Sequence, residues 1–108
     1  MDAEPSIAEL NVVGSLSPSV VRRSLERTLA SMRGCYRMAA KASNATLAVD
    51  LKLAFEIDEN SLATKVVPQA SFGSLATCAA GVAGQIRTPE APDVGTVRVT
   101  AVIRFRPS

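Results

Sequence analysis

Two stretches of the chain alternate strictly between apolar and polar residues, which predicts strands with one buried face. One runs from Thr46 to Asp58, and the other is the last strand, about Thr96 to Arg106. A less regular stretch, Leu62 to Gln69, follows a polar turn and is predicted to return antiparallel to the first. Pro68 lacks a backbone donor, so we expect it at a strand end or on an edge of the sheet. Ile7 to Gly14 is predicted to be a further short strand.

Two other stretches repeat apolar residues every three to four positions, which predicts helices with one buried side. The first begins at Ser17-Pro18, a capping serine before a proline suited to the first helical turn, and ends at Ser43-Asn44. The second begins after Ser71 or Ser74 and reaches about Ile86. The predicted order is therefore β-α-β-β-α-β. One-sided alternation favours an α+β fold with two helices packed on one face of a small antiparallel sheet.

The length fits a single domain over residues 1–108. Residues 1–6 lack a pattern of their own, and we expect them to be disordered or not native to the domain. Aromatic residues make up 4% of the chain and Trp is absent, so the core is built mainly from aliphatic side chains. A domain this small buries a modest fraction of its surface, which makes a covalent cross-link valuable.

Two cysteines, Cys35 and Cys78, each lie on the apolar side of a predicted helix. Both side chains are expected to reach the same core, and we predict a disulfide between them. In the chain-entropy description this bond would stabilise the fold by about 4 kcal/mol. It would also require an oxidising compartment. The alternative is a pair of buried free thiols, because free cysteine is a common core residue.

The charged residues argue against several classes of function. The net charge is +2, and acidic residues interrupt the basic ones, which disfavours a nucleic-acid partner. No stretch approaches the roughly 18 apolar residues of a membrane span, so we expect no membrane insertion of this domain. The chain has no His, and two Cys alone cannot close a tetrahedral zinc site. We expect no enzymatic activity, no metal and no cofactor.

The outward positions of the last strand are the candidate partner-binding residues: Arg98, Thr100, Arg104 and Arg106. A sheet with an exposed edge accepts an extended peptide as one more strand, and the last strand is the edge we expect to serve. Arginines there would face an acidic protein partner or, alternatively, only discourage strand aggregation. The arginines of the first helix are interpreted as a solvated face.

Several short motifs occur in a fixed order along the chain: Gly14-Ser15-Leu16-Ser17, Cys35-Tyr36, Asp58-Glu59-Asn60, Ser71-Phe72-Gly73, Leu75-x-x-Cys78, and Pro89 to Gly95 before the last strand. In this order they resemble the AgmX/PglI C-terminal domain, a myxobacterial family related to the TonB and TolA C-terminal domains. The resemblance covers about Val13 to Pro107. Its most specific elements are the Cys35-Tyr36 pair and the single downstream Cys78.

The resemblance implies a periplasmic domain of an inner-membrane-anchored protein. Such a domain would bind an outer-membrane or periplasmic protein in a trans-envelope system, such as a gliding-motility or transport apparatus. The resemblance also implies the Cys35–Cys78 bridge. The chain departs from the family pattern at Glu59-Asn60 and at Arg87-Thr88-Pro89. Two other functions stay open: a structural module that self-assembles as a homodimer, and a domain that binds peptidoglycan through its basic residues.

Overall fold

The computed structural model describes residues 2–107, which form a four-stranded antiparallel sheet and three helices. The elements, in chain order, are β1 (Ala3–Val13), α1 (Pro18–Glu26), α2 (Leu29–Ser43), β2 (Val49–Ile57), β3 (Ala63–Gln69), α3 (Leu75–Ala83) and β4 (Val97–Pro107). The helices cover one face of the sheet, and the other face is open. The predicted α+β class is confirmed.

The strands lie in the order β1-β4-β2-β3. The last strand, β4, is therefore in the interior of the sheet, and it pairs with β1 on one side and β2 on the other. Our prediction that the last strand is a free edge is wrong, because β1 pairs with almost its whole length, from Ala3 opposite Pro107 to Val13 opposite Arg98. The edges of the sheet are β1 and β3.

The first strand begins earlier than its pattern predicts. Disorder over residues 1–6 is wrong for Ala3 to Ser6, which pair with Pro107 to Arg104, while Met1 lies outside the described residues. The register shifts between Ile7 and Glu9, so a β-bulge reverses which residues face the helices. This reversal breaks the simple alternation on which the sequence prediction relied.

The first helical stretch is two helices rather than the single helix predicted. Ser17 caps α1 as expected, its Oγ accepting the N–H of Ser19, and Pro18 is the first helical residue. The break falls at Thr28, whose hydroxyl donates to the carbonyl of Leu25 at 2.6 Å. The N–H of Thr28 binds the same carbonyl at 2.9 Å. A side chain that competes for a backbone carbonyl in this way interrupts the regular ladder. As predicted, the helix ends at Ser43-Asn44: Ser43 is the last residue of α2, and Asn44 after it adopts a left-handed conformation.

The core lies between the helices and the inward faces of β2 and β4. The odd-numbered residues Leu51 to Ile57 and Val97 to Phe105 are all buried there, which confirms the alternation over these positions. The predicted start of the strand at Thr46 is wrong, because β2 begins at Val49 and Leu47 is 51% exposed. Tyr36 is fully buried, with its ring 5.1 Å from that of Phe72 and 5.4 Å from that of Phe105. The core therefore consists of aliphatic side chains packed around a small aromatic cluster, in which Tyr36 is stacked on Phe105 and tilted against Phe72.

Candidate partner-binding edge and face

The two cysteines form the predicted disulfide. Cys35 on α2 and Cys78 on α3 are bonded at 2.05 Å between sulfurs, with their Cα atoms 5.6 Å apart. Cys35 is buried and Cys78 is half-buried. The bond fastens the short α3 to the longest helix of the described chain.

The four candidate residues of β4 share one column on the open face of the sheet. Arg104 Nε donates to Asp50 Oδ1 across the β4–β2 pair at 3.0 Å. This bond is the main reason that the pKa of Asp50 lies below its usual value. The register places Arg98 beside Glu56 and Arg106 beside Glu4. The column therefore meets acidic residues of its own sheet, and binding of a partner by these arginines stays a prediction.

A shallow groove of about 520 Å³ crosses the middle of the open face and reaches from β1 to β3. Its floor includes the small side chains of Ala54 and Thr100 together with Val102. Longer polar side chains line it toward the two edges, among them Glu9 on β1 and Gln69 on β3. Of the four candidate residues, only Thr100 lies in this groove.

The edge at β1 is long and open. Its eleven residues have no partner strand on their outer side within the part of the chain that is described. Pro5 and the bulge after Ile7 interrupt the first half. The second half, residues 9–13, contains no proline and keeps a regular register against β4 from Glu9 to Val13. Val13, at its end, is 61% exposed.

The edge at β3 is short and partly covered. The N–H of Ala63 donates to the carbonyl of Ile86 at 3.1 Å, and the N–H of Thr88 donates to that of Ser61 at 3.0 Å. Residues 86–88, which we call the cover segment, therefore occupy the outer side where β3 begins. Farther along, Lys65 has a left-handed φ of 53° and Pro68 lacks a donor. The prediction that Pro68 lies on an edge is confirmed.

An ion-pair clasp holds the start of β1 against α2, and the sequence did not reveal it. Asp2 Oδ2 accepts from Arg33 Nη2 at 2.6 Å, and Asp2 Oδ1 accepts from Arg37 Nε at 3.1 Å. These hydrogen bonds, that of Arg33 first, hold the pKa of Asp2 well below its usual range. The contact joins residues more than 30 positions apart, so no local pattern indicates it.

Among residues 2–107 no helix is long and apolar enough to cross a membrane, and no three Cys, Asp or Glu side chains gather as a metal site would require. Comparison of the chain with protein-family models, curated proteins and solved structures finds no match. The functional assignment therefore depends on the edge, the groove and the disulfide.

Proposed function

We propose that this domain is a non-catalytic protein-interaction module that binds an extended segment of a partner along the outer side of β1. The single observation that carries the proposal is the contrast in access: residues 9–13 of β1 are regular and uncovered, whereas β3 begins under the cover segment. The arginine column of β4 then lies one strand away from the bound segment, across β1, and does not form the edge itself.

Strand addition explains both affinity and selectivity at this edge. Backbone hydrogen bonds to β1 supply the affinity, and alternate side chains of the bound segment supply the selectivity. One set of these side chains would lie beside Asn11 and the groove on the open face. The other set would lie beside Leu10 and Val12, which are half-buried against the helix side of the sheet. The partner segment is therefore expected to alternate polar and apolar residues.

We further propose that the domain works in the periplasm, in a trans-envelope system whose partner is a periplasmic or outer-membrane protein. The Cys35–Cys78 bond supports an oxidising compartment, because disulfides persist there and are rare in the cytosol. The resemblance carried by Cys35-Tyr36 and the downstream Cys78 supports the envelope assignment.

Self-assembly is the second candidate, because the same uncovered edge would serve a second copy of the chain. Two copies of residues 9–13 pairing antiparallel would join two sheets into one of eight strands. Sedimentation velocity over a wide concentration range tests this directly: a monomer at every concentration contradicts it.

Site-specific photocrosslinking in living cells tests the partner proposal. A photoreactive residue at Asn11, on β1, is expected to yield an adduct with a distinct envelope protein. The matched control is Lys65, which is also exposed but lies on β3 and does not line the groove. Adducts of equal yield from Lys65, or from the exposed helical residue Lys41, would contradict binding at β1. An adduct of the chain with itself would support self-assembly instead.

A further inference from the structure

A polar cleft lies on the helix side of the molecule, away from β1 and the groove. It is bounded by the α1–α2 junction on one side and by the end of α3 with the cover segment on the other. Its volume is about 270 Å³. The polar side chains that line it are Ser24, Arg27, Thr28, Ser31, Gln85 and Arg87. Two of these are cationic, the others are neutral hydrogen-bonding groups, and none is acidic.

The two arginines of the cleft take part in no ion pair among the described residues, as is also true of Arg22, Arg23, Arg98 and Arg106, but these two line one cleft. The ion pairs found within residues 2–107 use Arg33, Arg37, Lys65 and Arg104 as cations. Arg27 and Arg87 take part in none of them. Both guanidinium groups therefore keep their donors available to an incoming anion, and a guanidinium fork suits the two oxygens of a carboxylate or a phosphate.

Ser24 is a second and independent feature of the cleft. It is one of two buried polar residues in the described chain, at 6% exposure, and the other, Thr88, donates its hydroxyl to the carbonyl of Glu90. The hydroxyl of Ser24 makes none of the side-chain hydrogen bonds found among residues 2–107, although it lines the cleft. No side-chain N or O atom among the described residues is both fully buried and unpaired, so the Ser24 oxygen is reached from the cleft. It is therefore available to hydrogen-bond a ligand oxygen there.

The distribution of charge favours an anion at this side of the domain. Residues 18–44, which hold α1 and α2, contain six basic residues and one acidic residue. The rest of the chain contains six basic and nine acidic residues. The net charge is therefore +5 for residues 18–44 and −3 for the remainder. A positive field around the helices raises the local concentration of anionic molecules and steers them toward the cleft.

We propose that this cleft is an oxyanion-binding site that takes a carboxylate or a phosphate group. Arg27 and Arg87 supply charge-assisted hydrogen bonds from opposite walls, and Ser24, Ser31 and Gln85 supply neutral ones. The site lies on the helices rather than on a sheet edge. Anion binding there can therefore be tested independently of the proposed strand addition.

Amide NMR of the oxidised protein, titrated at low ionic strength, tests the proposal. The probes are inorganic phosphate and acetate, with sodium chloride as the ionic-strength control. We expect saturable shifts confined to residues 24–31 and 85–87. A stronger response to phosphate assigns the site to phosphoryl groups, and a stronger response to acetate assigns it to carboxylates.

Three glutamine variants give the titration its controls. Arg27→Gln and Arg87→Gln are each expected to weaken binding about tenfold, the usual effect of losing one charge-assisted hydrogen bond. Arg23→Gln removes the same charge from an exposed residue of α1 that does not line the cleft, and it should change affinity less than twofold. The spectrum of each variant reports whether it is folded. Equal weakening in all three, or shifts that do not saturate or match those from chloride, would overturn the proposal.

Discussion

The two edges of this sheet are protected in different ways. β3 has seven residues, a left-handed residue, a proline and a cover segment on its outer side. β1 has eleven residues and only a proline and a bulge in its first half. Proteins usually blunt exposed edges because such edges pair with other chains. This difference in protection is the basis of the proposal that a partner pairs with β1 rather than with β3.

The protection of β3 depends on a weak helix. α3 has nine residues, includes Gly81 and lacks a side-chain hydrogen bond at its N-terminus. Such a helix has little intrinsic stability. It is held by the buried side chains of Leu75, Ala79 and Ala83 and by the disulfide to α2. The cover segment begins three residues after the end of α3, so a change that loosens α3 should uncover β3.

The largest effect is expected from removing the disulfide. Cys35→Ser combined with Cys78→Ser should lower the free energy of unfolding by about 4 kcal/mol, from the closed loop of 43 residues. The amides of Ala63 and Thr88 should lose protection from hydrogen exchange more than those of the β1–β4 ladder. Denaturant titration and hydrogen exchange measure both effects. The wild-type protein in reductant is the control and should behave like the variant. Equal loss of exchange protection at both edges would contradict the view that the disulfide protects β3 in particular.

A smaller effect is expected from loosening the cover segment directly. Ile86 is 4% exposed, and Ile86→Ala should cost about 2 to 4 kcal/mol through the cavity it leaves. Exchange should accelerate first at Ala63, whose N–H binds the carbonyl of Ile86. Val94→Ala, at a 79% exposed position of the following loop, is the matched control and should change stability little. If the Ala63 amide stays protected in Ile86→Ala, the buried side chain of Ile86 is not what holds the cover segment against β3.

Substitution of Tyr36 should lower the stability of both edges of the sheet equally. It therefore tests whether the difference in protection between β1 and β3 arises locally. Its hydroxyl donates to the carbonyl of Leu47 at 2.6 Å and accepts the N–H of the same residue at 2.9 Å. Tyr36→Phe keeps the stacked ring and removes both bonds, at an expected cost of about 1 to 2 kcal/mol. Thermal and chemical unfolding measure this cost. Exchange that rises at one edge only would show that Tyr36 supports that edge in particular.

The smallest effect is expected from the clasp at the start of β1. Folding lowers the pKa of Asp2, so the ionised carboxylate stabilises the folded protein. This stabilisation is fully present above the pKa of the unfolded chain, about 3.9, and is lost as the pH falls below that value. Asp2→Asn should therefore be slightly less stable than the wild type from pH 5 to 8, and the difference should shrink below about pH 4. Unfolding curves across this pH range measure it, and a difference that grows on acidification would contradict the assignment.

Much of the fold follows from local pattern. β2 and β4 have one buried face each, and their alternation shows which residues face the core. The disulfide could be predicted because both cysteines lie on the apolar sides of predicted helices and the chain has no other cysteines. The break at Thr28 was not predicted, because the apolar spacing continues through it and only the hydroxyl bond to Leu25 reveals it.

The candidate site depends on information that periodicity does not contain. Alternation shows which way a side chain points but not which strand lies beside it, so the interior position of β4 was missed. The early start of β1 was missed because the bulge after Ile7 reverses the pattern. The cleft of Arg27 and Arg87 joins residues 60 positions apart, and their spacing offers no local signal.

The pairing of Ala3 with Pro107 brings both ends of the described chain to the same end of the sheet. A mechanical load applied between those ends would act across the β1–β4 ladder rather than along it. The pairs of the ladder would then break one after another, once the salt bridges that join Asp2 to Arg33 and Arg37 on α2 had broken. Opening of this kind requires less force than pulling along the strands, which would load all the pairs of the ladder together.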